Sequence, residues 1–301
     1  MLFYLVLLSK LSQLIYSLNF CENTISAKFR IVGGIDVLQK DDLTWMTKLI
    51  SYEEGATEGI MCGATVIDDY WVLTAAHCAR QLRTKSYIIA TKESGRELTI
   101  KVVDAFIHPG YSNYTAKNDI ALLKVSSNLK SKGILPVCLS ENDENLLKNY
   151  NTGIVTGFGV SLEKSGNTVL LSNSNSLQQT SVPIIPSSKC QSTWDVLSFR
   201  SVEISSNQLC AGSYMHGTAP GDSGGPLLIE TSDKKLIQVG ITSFGADGLD
   251  GLIDQGKYPG VYTRVSRYIP WIEKIIKNSS SSLLSSHLFF TCFLIFVLNY
   301  K

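Results

Sequence analysis

Short apolar runs set between turn-forming residues constrain this chain more than any other feature. They include Met61 to Ile67, Trp71 to Thr74, Tyr87 to Ala90, Leu98 to Val103 and Ile120 to Val125 in the first half. Gly153 to Phe158, Leu227 to Ile229, Leu236 to Phe244 and Gly260 to Arg264 continue the pattern. Runs of this length, rich in β-branched residues and bounded by Gly, Pro, Asn and Asp, suit strands rather than helices. Many such strands with regular punctuation predict an all-β barrel architecture. A length of 301 residues with 44% hydrophobic content supplies an ample core for it. Tyr268 to Lys277 has helical apolar spacing, with Pro270 suited to a first turn. Two segments interrupt the pattern. Ser161 to Gln179, rich in Ser and Asn, reads as a long surface loop, and Ala246 to Tyr258 reads as a second expanded loop.

Charge narrows the partners. With 27 basic and 26 acidic residues the net charge is +1, which gives no electrostatic reason to expect nucleic acid. Residues 1–17 begin with the apolar stretch Leu2 to Leu8 and read as a secretory signal peptide. The run is far short of the ~20 residues a membrane-spanning anchor needs. Seven cysteines in an exported chain imply disulfides with one cysteine left over. No Cys-x-x-Cys spacing occurs, and Glu93 and Glu97 lack an acidic calcium-loop pattern, so neither a metal nor another cofactor is expected.

Three motifs carry chemistry. Thr74-Ala75-Ala76-His77-Cys78 supplies an imidazole, Asn118-Asp119-Ile120-Ala121-Leu122-Leu123 a carboxylate, and Gly221-Asp222-Ser223-Gly224-Gly225-Pro226 a hydroxyl. A serine hydroxyl is a weak nucleophile at neutral pH unless a base removes its proton. That base needs a partner to fix its tautomer and stabilise its cation. His77, Asp119 and Ser223 supply all three parts. The remaining histidines, His108, His216 and His287, read as ordinary surface residues.

In that order the motifs resemble the trypsin/chymotrypsin-like serine proteases. Ile31-Val32-Gly33-Gly34 opens the resemblance, Pro259-Gly260-Val261-Tyr262-Thr263-Arg264-Val265 closes it, and it extends to about Lys277. It implies two six-stranded antiparallel β-barrels with a C-terminal helix, and a catalytic cleft between them. It implies that His77, Asp119 and Ser223 form the catalytic triad, with the backbone N–H groups of Gly221 and Ser223 as an oxyanion hole. Disulfides Cys62–Cys78, Cys190–Cys210 and Cys21–Cys138 follow by resemblance, leaving Cys292 as the odd residue. Residues 18–30 become an activation propeptide and 31–277 the protease domain. Cleavage between Arg30 and Ile31 would free an amino group to pair with Asp222, so the chain reads as a zymogen activated by an upstream trypsin-like protease.

Specificity is less sharply drawn. The resemblance also implies Gly217 at the base of the substrate pocket, with Thr218 beside it and Ser243, Gly245 and Gly260 along the walls. An uncharged pocket of this kind favours large apolar or aromatic P1 side chains. The family usually has a cysteine where this chain has Ala219, and its partner after Gly245 is missing too. The walls are then less constrained, and Asp247, Asp250 or Asp254 leaning inward would give Arg/Lys specificity instead. A catalytically silent, protease-like cofactor is the reading from a different class. Partners in the protease reading are protein or peptide substrates and protein inhibitors.

The remaining residues, 278–301, combine a Ser-rich spacer with the apolar run Leu288 to Leu298. Small residues, a spacer and an apolar tail of ~10–20 residues form a GPI-attachment signal. A short anchor and a peripheral or removed tail are the alternatives. Asn113-Tyr114-Thr115 and Asn278-Ser279-Ser280 match the N-glycosylation acceptor pattern. These features together predict a secreted glycoprotein, tethered at the cell surface in the GPI reading.

Overall fold

The computed structural model describes residues 35–36, 43–52, 59–80, 82, 85–92, 96–165, 168–173 and 176–279. For 35–36, 161–165, 168–170 and 172–173 only the backbone is described. The signal and propeptide assignments, Arg30, Ile31, Cys21 and the apolar tail lie outside these residues.

After a short strand β1 (Ile35–Asp36) come β2 (Met46–Tyr52), β3 (Gly59–Asp68), β4 (Trp71–Thr74), β5 (Lys85–Thr91), β6 (Glu97–Ile107) and β7 (Ala121–Val125). The order β2-β3-β4-β7-β6-β5 closes on itself through antiparallel pairs, giving a six-stranded barrel. Its interior explains the sequence pattern. Ala64, Val66, Val72, Leu73, Ile88 and Leu122 are all fully buried, and each comes from an apolar run.

The second half adds β8 (Cys138–Leu139), β9 (Thr152–Gly157), β10 (Val160–Ser165), β11 (Thr168–Asn173), β12 (Gln178–Ile185) and β13 (Gln208–Ala211). It ends with β14 (Pro226–Glu230), β15 (Leu236–Phe244) and β16 (Gly260–Arg264). Here β12-β13-β16-β15-β14-β9 runs in sequence and β9 pairs back to β12, closing a second antiparallel barrel. Strands β1 and β8 attach to its outside. The helix at 269–279 follows a 3-10 turn over Val265–Tyr268, and it buries Ile269, Ile272 and Ile276 against the core. The fold is therefore the expected pair of six-stranded barrels with a C-terminal helix.

Two differences from the sequence reading stand out. The stretch expected as a long loop from Ser161 contains β10 and β11, an antiparallel pair in register from Val160↔Asn173 to Ser165↔Thr168. Val160, Leu162, Val169 and Leu171 supply enough β-branched and aliphatic content to pair despite the surrounding polar residues. Asn278 lies in the terminal helix rather than in a spacer.

The barrels are tied together by polar contacts as well as apolar packing. Thr65 Oγ1 in β3 donates to Gln238 Oε1 in β15 at 2.8 Å, in a buried position. Thr263 Oγ1 in β16 donates to the carbonyl oxygen of Asp119 at 2.9 Å. The bidentate Arg264–Asp143 pair lies nearby, with Nε 3.0 Å from both carboxylate oxygens. Asp143 is 1% exposed, so this carboxylate depends on its arginine for compensation.

Candidate active site

His77 sits in a single helical turn, Ala76–Ala79, directly after β4. The disulfide Cys62–Cys78 links this turn to β3. Asp119 precedes β7, the strand hydrogen-bonded to β4, so barrel pairing brings the two motifs together. His77 Nδ1 and Asp119 Oδ2 are 2.8 Å apart, and the backbone N–H of His77 donates to Asp119 Oδ1 at 2.9 Å. Ser243 Oγ, from β15 of the other barrel, donates to Asp119 Oδ2 at 2.6 Å. Asp119 is 1% exposed, whereas the His77 side chain is 25% exposed. A buried carboxylate with three donors thus holds one face of the imidazole, and the other stays open to solvent.

Ser223 lies on the turn leading into β14. Its carbonyl oxygen accepts the N–H of Gly63 from β3 at 2.7 Å. The turn is packed too closely for side chains. Gly224 has φ +79°, and a Cβ there would overlap Thr74 Oγ1 and lie 2.5 Å from the Gly63 carbonyl oxygen. Gly63 is pressed against Gly225 as well, with 2.9 Å between a Cβ placed there and the Gly225 backbone. The turn therefore interlocks with the first barrel. Among the described residues, the N–H groups of Gly221 and Ser223 have no backbone acceptor. No Ser223 Oγ–His77 hydrogen bond forms among the described residues; His77 Nε2 instead lies 3.5 Å from Cys78 Sγ. Cys62, His77 and Cys78 cluster closely, but the two sulfurs are bonded to each other and offer no thiolate to a metal.

Asp222 points away from this cleft. It is 1% exposed, its Oδ1 accepts the N–H of Gly159 at 2.8 Å, and its Oδ2 accepts that of Ala219 at 2.9 Å. A Cβ on either Gly157 or Gly159 would overlap or crowd this carboxylate, so both glycines are needed to make room for it. Among the described residues no cation forms an ion pair with it. Burial pushes its carboxyl up to about 6, against the opposing pull of the two backbone donors.

A cavity of about 340 Å³ opens beside Ser223. Of the expected pocket residues, Thr218, Ser243 and Gly245 line it. Gly217 and Gly260 do not; both abut Gln255, which lines the cavity in their place. The space at the expected pocket base, Gly217, is thus taken up by Gln255. The expanded loop contains a helix, Gly248–Ile253, and it orients its three acids differently. Asp247 is at the cavity wall but solvent-exposed. Asp250 is exposed on the helix, and Asp254 Oδ1 accepts the N–H of Lys257.

Cys190–Cys210 forms as expected and ties the helix Ser187–Leu197 to β13. Cys138 is also disulfide-bonded; its assigned partner Cys21 lies outside the described residues. Asn113 is exposed in its loop. His108 is more than a surface residue, since its ring packs edge-on against Tyr268 and Trp271, both at 5.2 Å, and burial lowers its pKa. His216, expected as an ordinary surface residue, has a partner: its Nδ1 lies 2.7 Å from Thr180 Oγ1. The sequence reading also missed Gln255 and the bond from Ser243 to Asp119. Neither leaves a local signal, because each contact spans a long stretch of chain.

A family model described as Trypsin matches residues 31–272. Vitamin K-dependent protein C of Oryctolagus cuniculus is 32% identical over 266 residues, covering 84% of this chain and 54% of that protein. The chain thus spans about half the length of that curated relative. Two closed barrels, a histidine held by a buried carboxylate and a family match over most of the chain lead to one conclusion: this chain belongs to the trypsin-like serine protease family.

Proposed function

We propose that this protein is a secreted serine endopeptidase, made as a zymogen and activated by cleavage after Arg30. The observation that carries the reading is the buried Asp119 carboxylate, fixed by Ser243 and by the backbone of His77, and bonded to His77 Nδ1 beside Ser223. With Nδ1–H committed to Asp119, Nε2 is left as the base. Ser223 Oγ attacks the scissile carbonyl carbon while His77 Nε2 takes its proton. The imidazolium then returns that proton to the leaving amine, and water repeats the cycle on the acyl-enzyme. Asp119 stays ionised throughout. The N–H groups of Gly221 and Ser223 stabilise the negative oxygen that develops, each donor being worth ~3–4 kcal/mol of barrier. Catalytic hydrogen bonds often tighten only when substrate binds, which fits the open Ser223–His77 pair.

Asp222 supports the zymogen reading. A buried carboxylate lacking a cation among the described residues is a ready acceptor for the amino group that cleavage would free at Ile31. Pairing there would reshape the segment Ala219 to Ser223 and with it the oxyanion hole. The cavity wall carries one carboxylate, exposed at Asp247, so large apolar or aromatic P1 side chains gain most from burial. That preference leaves the bond after Arg30 to an upstream trypsin-like protease. Protein substrates and protein inhibitors are the corresponding partners. Paired cysteines fit an oxidising, extracellular setting, and the exposed Asn113 fits glycosylation. Among the described residues no helix is long and apolar enough to cross a membrane; surface tethering would rest on the residues after 279.

Labelling with a fluorophosphonate after cleavage at Arg30 tests the reading. Expected are a label on Ser223 and peptide hydrolysis, both lost in Ser223→Ala. A correctly folded, cleaved protein that takes no label would establish the silent-cofactor reading instead.

A further inference from the structure

Gly217 is the residue expected at the base of the specificity pocket, yet the space a side chain would need there is occupied. A Cβ at Gly217 would overlap Oε1 and Cδ of Gln255 and lie 2.6 Å from its Nε2. Gln255 itself is 4% exposed and lines the cavity beside Ser223. Its carboxamide is held at two points by one residue: Nε2 donates to the Thr218 carbonyl oxygen at 2.6 Å, and Oε1 accepts the Thr218 N–H at 3.1 Å. The clamp joins the segment before the nucleophile to the segment after the helix Gly248–Ile253. Those are the two segments that Ala219 leaves without a covalent link.

From this geometry we propose that Gln255 is the specificity-determining residue of this enzyme. Its carboxamide takes the place of a pocket-base side chain and restricts P1 to uncharged residues. The inference rests on the endopeptidase reading above and deepens it. The chemistry follows from what the carboxamide offers. It is neutral, and two of its hydrogen-bonding positions are already used on Thr218. A lysine or arginine entering this pocket finds no carboxylate at its base, and an unpaired buried cation is strongly disfavoured. An uncharged P1 side chain loses nothing of this kind and gains from apolar burial. The clamp also fixes the carboxamide in place, so the restriction does not depend on a mobile side chain.

The test is a P1-varied set of peptide amides, assayed with the cleaved enzyme and normalised to Ser223 sites titrated by fluorophosphonate. Wild type is expected to cleave after uncharged residues and poorly after Lys or Arg. Gln255→Glu, nearly isosteric, should raise the Lys/Arg to Phe/Leu ratio of kcat/KM about 10- to 100-fold, as expected for a charge-assisted hydrogen bond. A second pair of variants probes the geometry separately. Gly217→Asp alone should be excluded by the overlap and lower the melting temperature. Gly217→Asp with Gln255→Gly should regain stability and show the same shift toward Lys and Arg. Fully titratable enzyme whose P1 ratio is unmoved in both Gln255→Glu and the double variant would overturn the proposal. So would a wild type that prefers Lys or Arg. Absence of any titratable Ser223 would instead count against the endopeptidase reading itself.

Discussion

The buried Asp222 carboxyl should leave a pH signature that differs between the intact and the cleaved chain. In the intact chain it is held at about 6, against 3.8 for an ordinary aspartate, mainly through desolvation. A raised folded-state pKa means that, between pH 3.8 and about 6, the native protein binds more protons than the unfolded one. Stability must therefore fall as pH rises through that window. The shift of roughly two units corresponds to about 3 kcal/mol, present below pH 4 and lost above pH 6. For a domain of this size that is about 6–12 °C in melting temperature. The measurement is thermal or urea unfolding from pH 4 to 8 in a Ser223→Ala background, which prevents self-digestion. Asp222→Asn cannot ionise, so the difference between the two profiles isolates this residue from other titrating groups such as Asp68 and His108. After cleavage at Arg30 the Ile31 amino group is expected to pair with Asp222 and depress its pKa. The contribution then becomes stabilising above pH 4 and is lost on acidification. Parallel profiles for Asp222→Asn and its parent, or a slope indifferent to cleavage, would refute the reasoning.

Further outcomes follow from single contacts. Asp119→Asn should fold normally yet lose about 10⁴-fold in kcat, because His77 would be held in the wrong tautomer; a loss under tenfold in steady-state assays would contradict that role. Ser243→Ala removes the 2.6 Å bond to Asp119 Oδ2 and should lower kcat/KM about tenfold with KM little changed. Gly224→Ala meets both a positive φ and the Gly63 carbonyl, so calorimetry should show a melting temperature lower by several degrees or no folded protein. Arg264→Ala leaves the Asp143 carboxylate buried and unpaired, costing about 3–5 kcal/mol in urea unfolding; adding Asp143→Ala should recover part of it.

Much of the fold was legible because its strands carry their own apolar patterns. Trp71–Thr74, Leu236–Phe244 and Gly260–Arg264 have the boundaries expected from sequence. Strand β2 was not foreseen, since Thr47, Lys48 and Ser51 dilute its signal; Thr47 is buried only because its hydroxyl reaches the Ala64 carbonyl oxygen. Strand β12 was hidden in the same way by Gln178, Gln179, Thr180, Ser181 and Pro183, all paired to β9. The candidate site was legible wherever the chemistry is local, as in the segments around His77, Asp119 and Ser223. The pocket was not. Its base is set by a glutamine 37 residues along the chain from Thr218, and no motif within either segment announces that they meet.

The interlock between the nucleophile turn and the first barrel bears on how the molecule is made. Ser223 belongs to the second half of the chain, yet its carbonyl is held by Gly63 and its glycines fit only against Thr74 and Gly63. The histidine and carboxylate come from the first half, and Ser243 from the second steadies the carboxylate. Neither half can therefore display a working site while its counterpart is unfolded. During biosynthesis, hydrolytic capacity would emerge only at the final docking of the barrels. In the zymogen reading, tertiary assembly would then be a safeguard that acts before, and independently of, the proposed cleavage after Arg30.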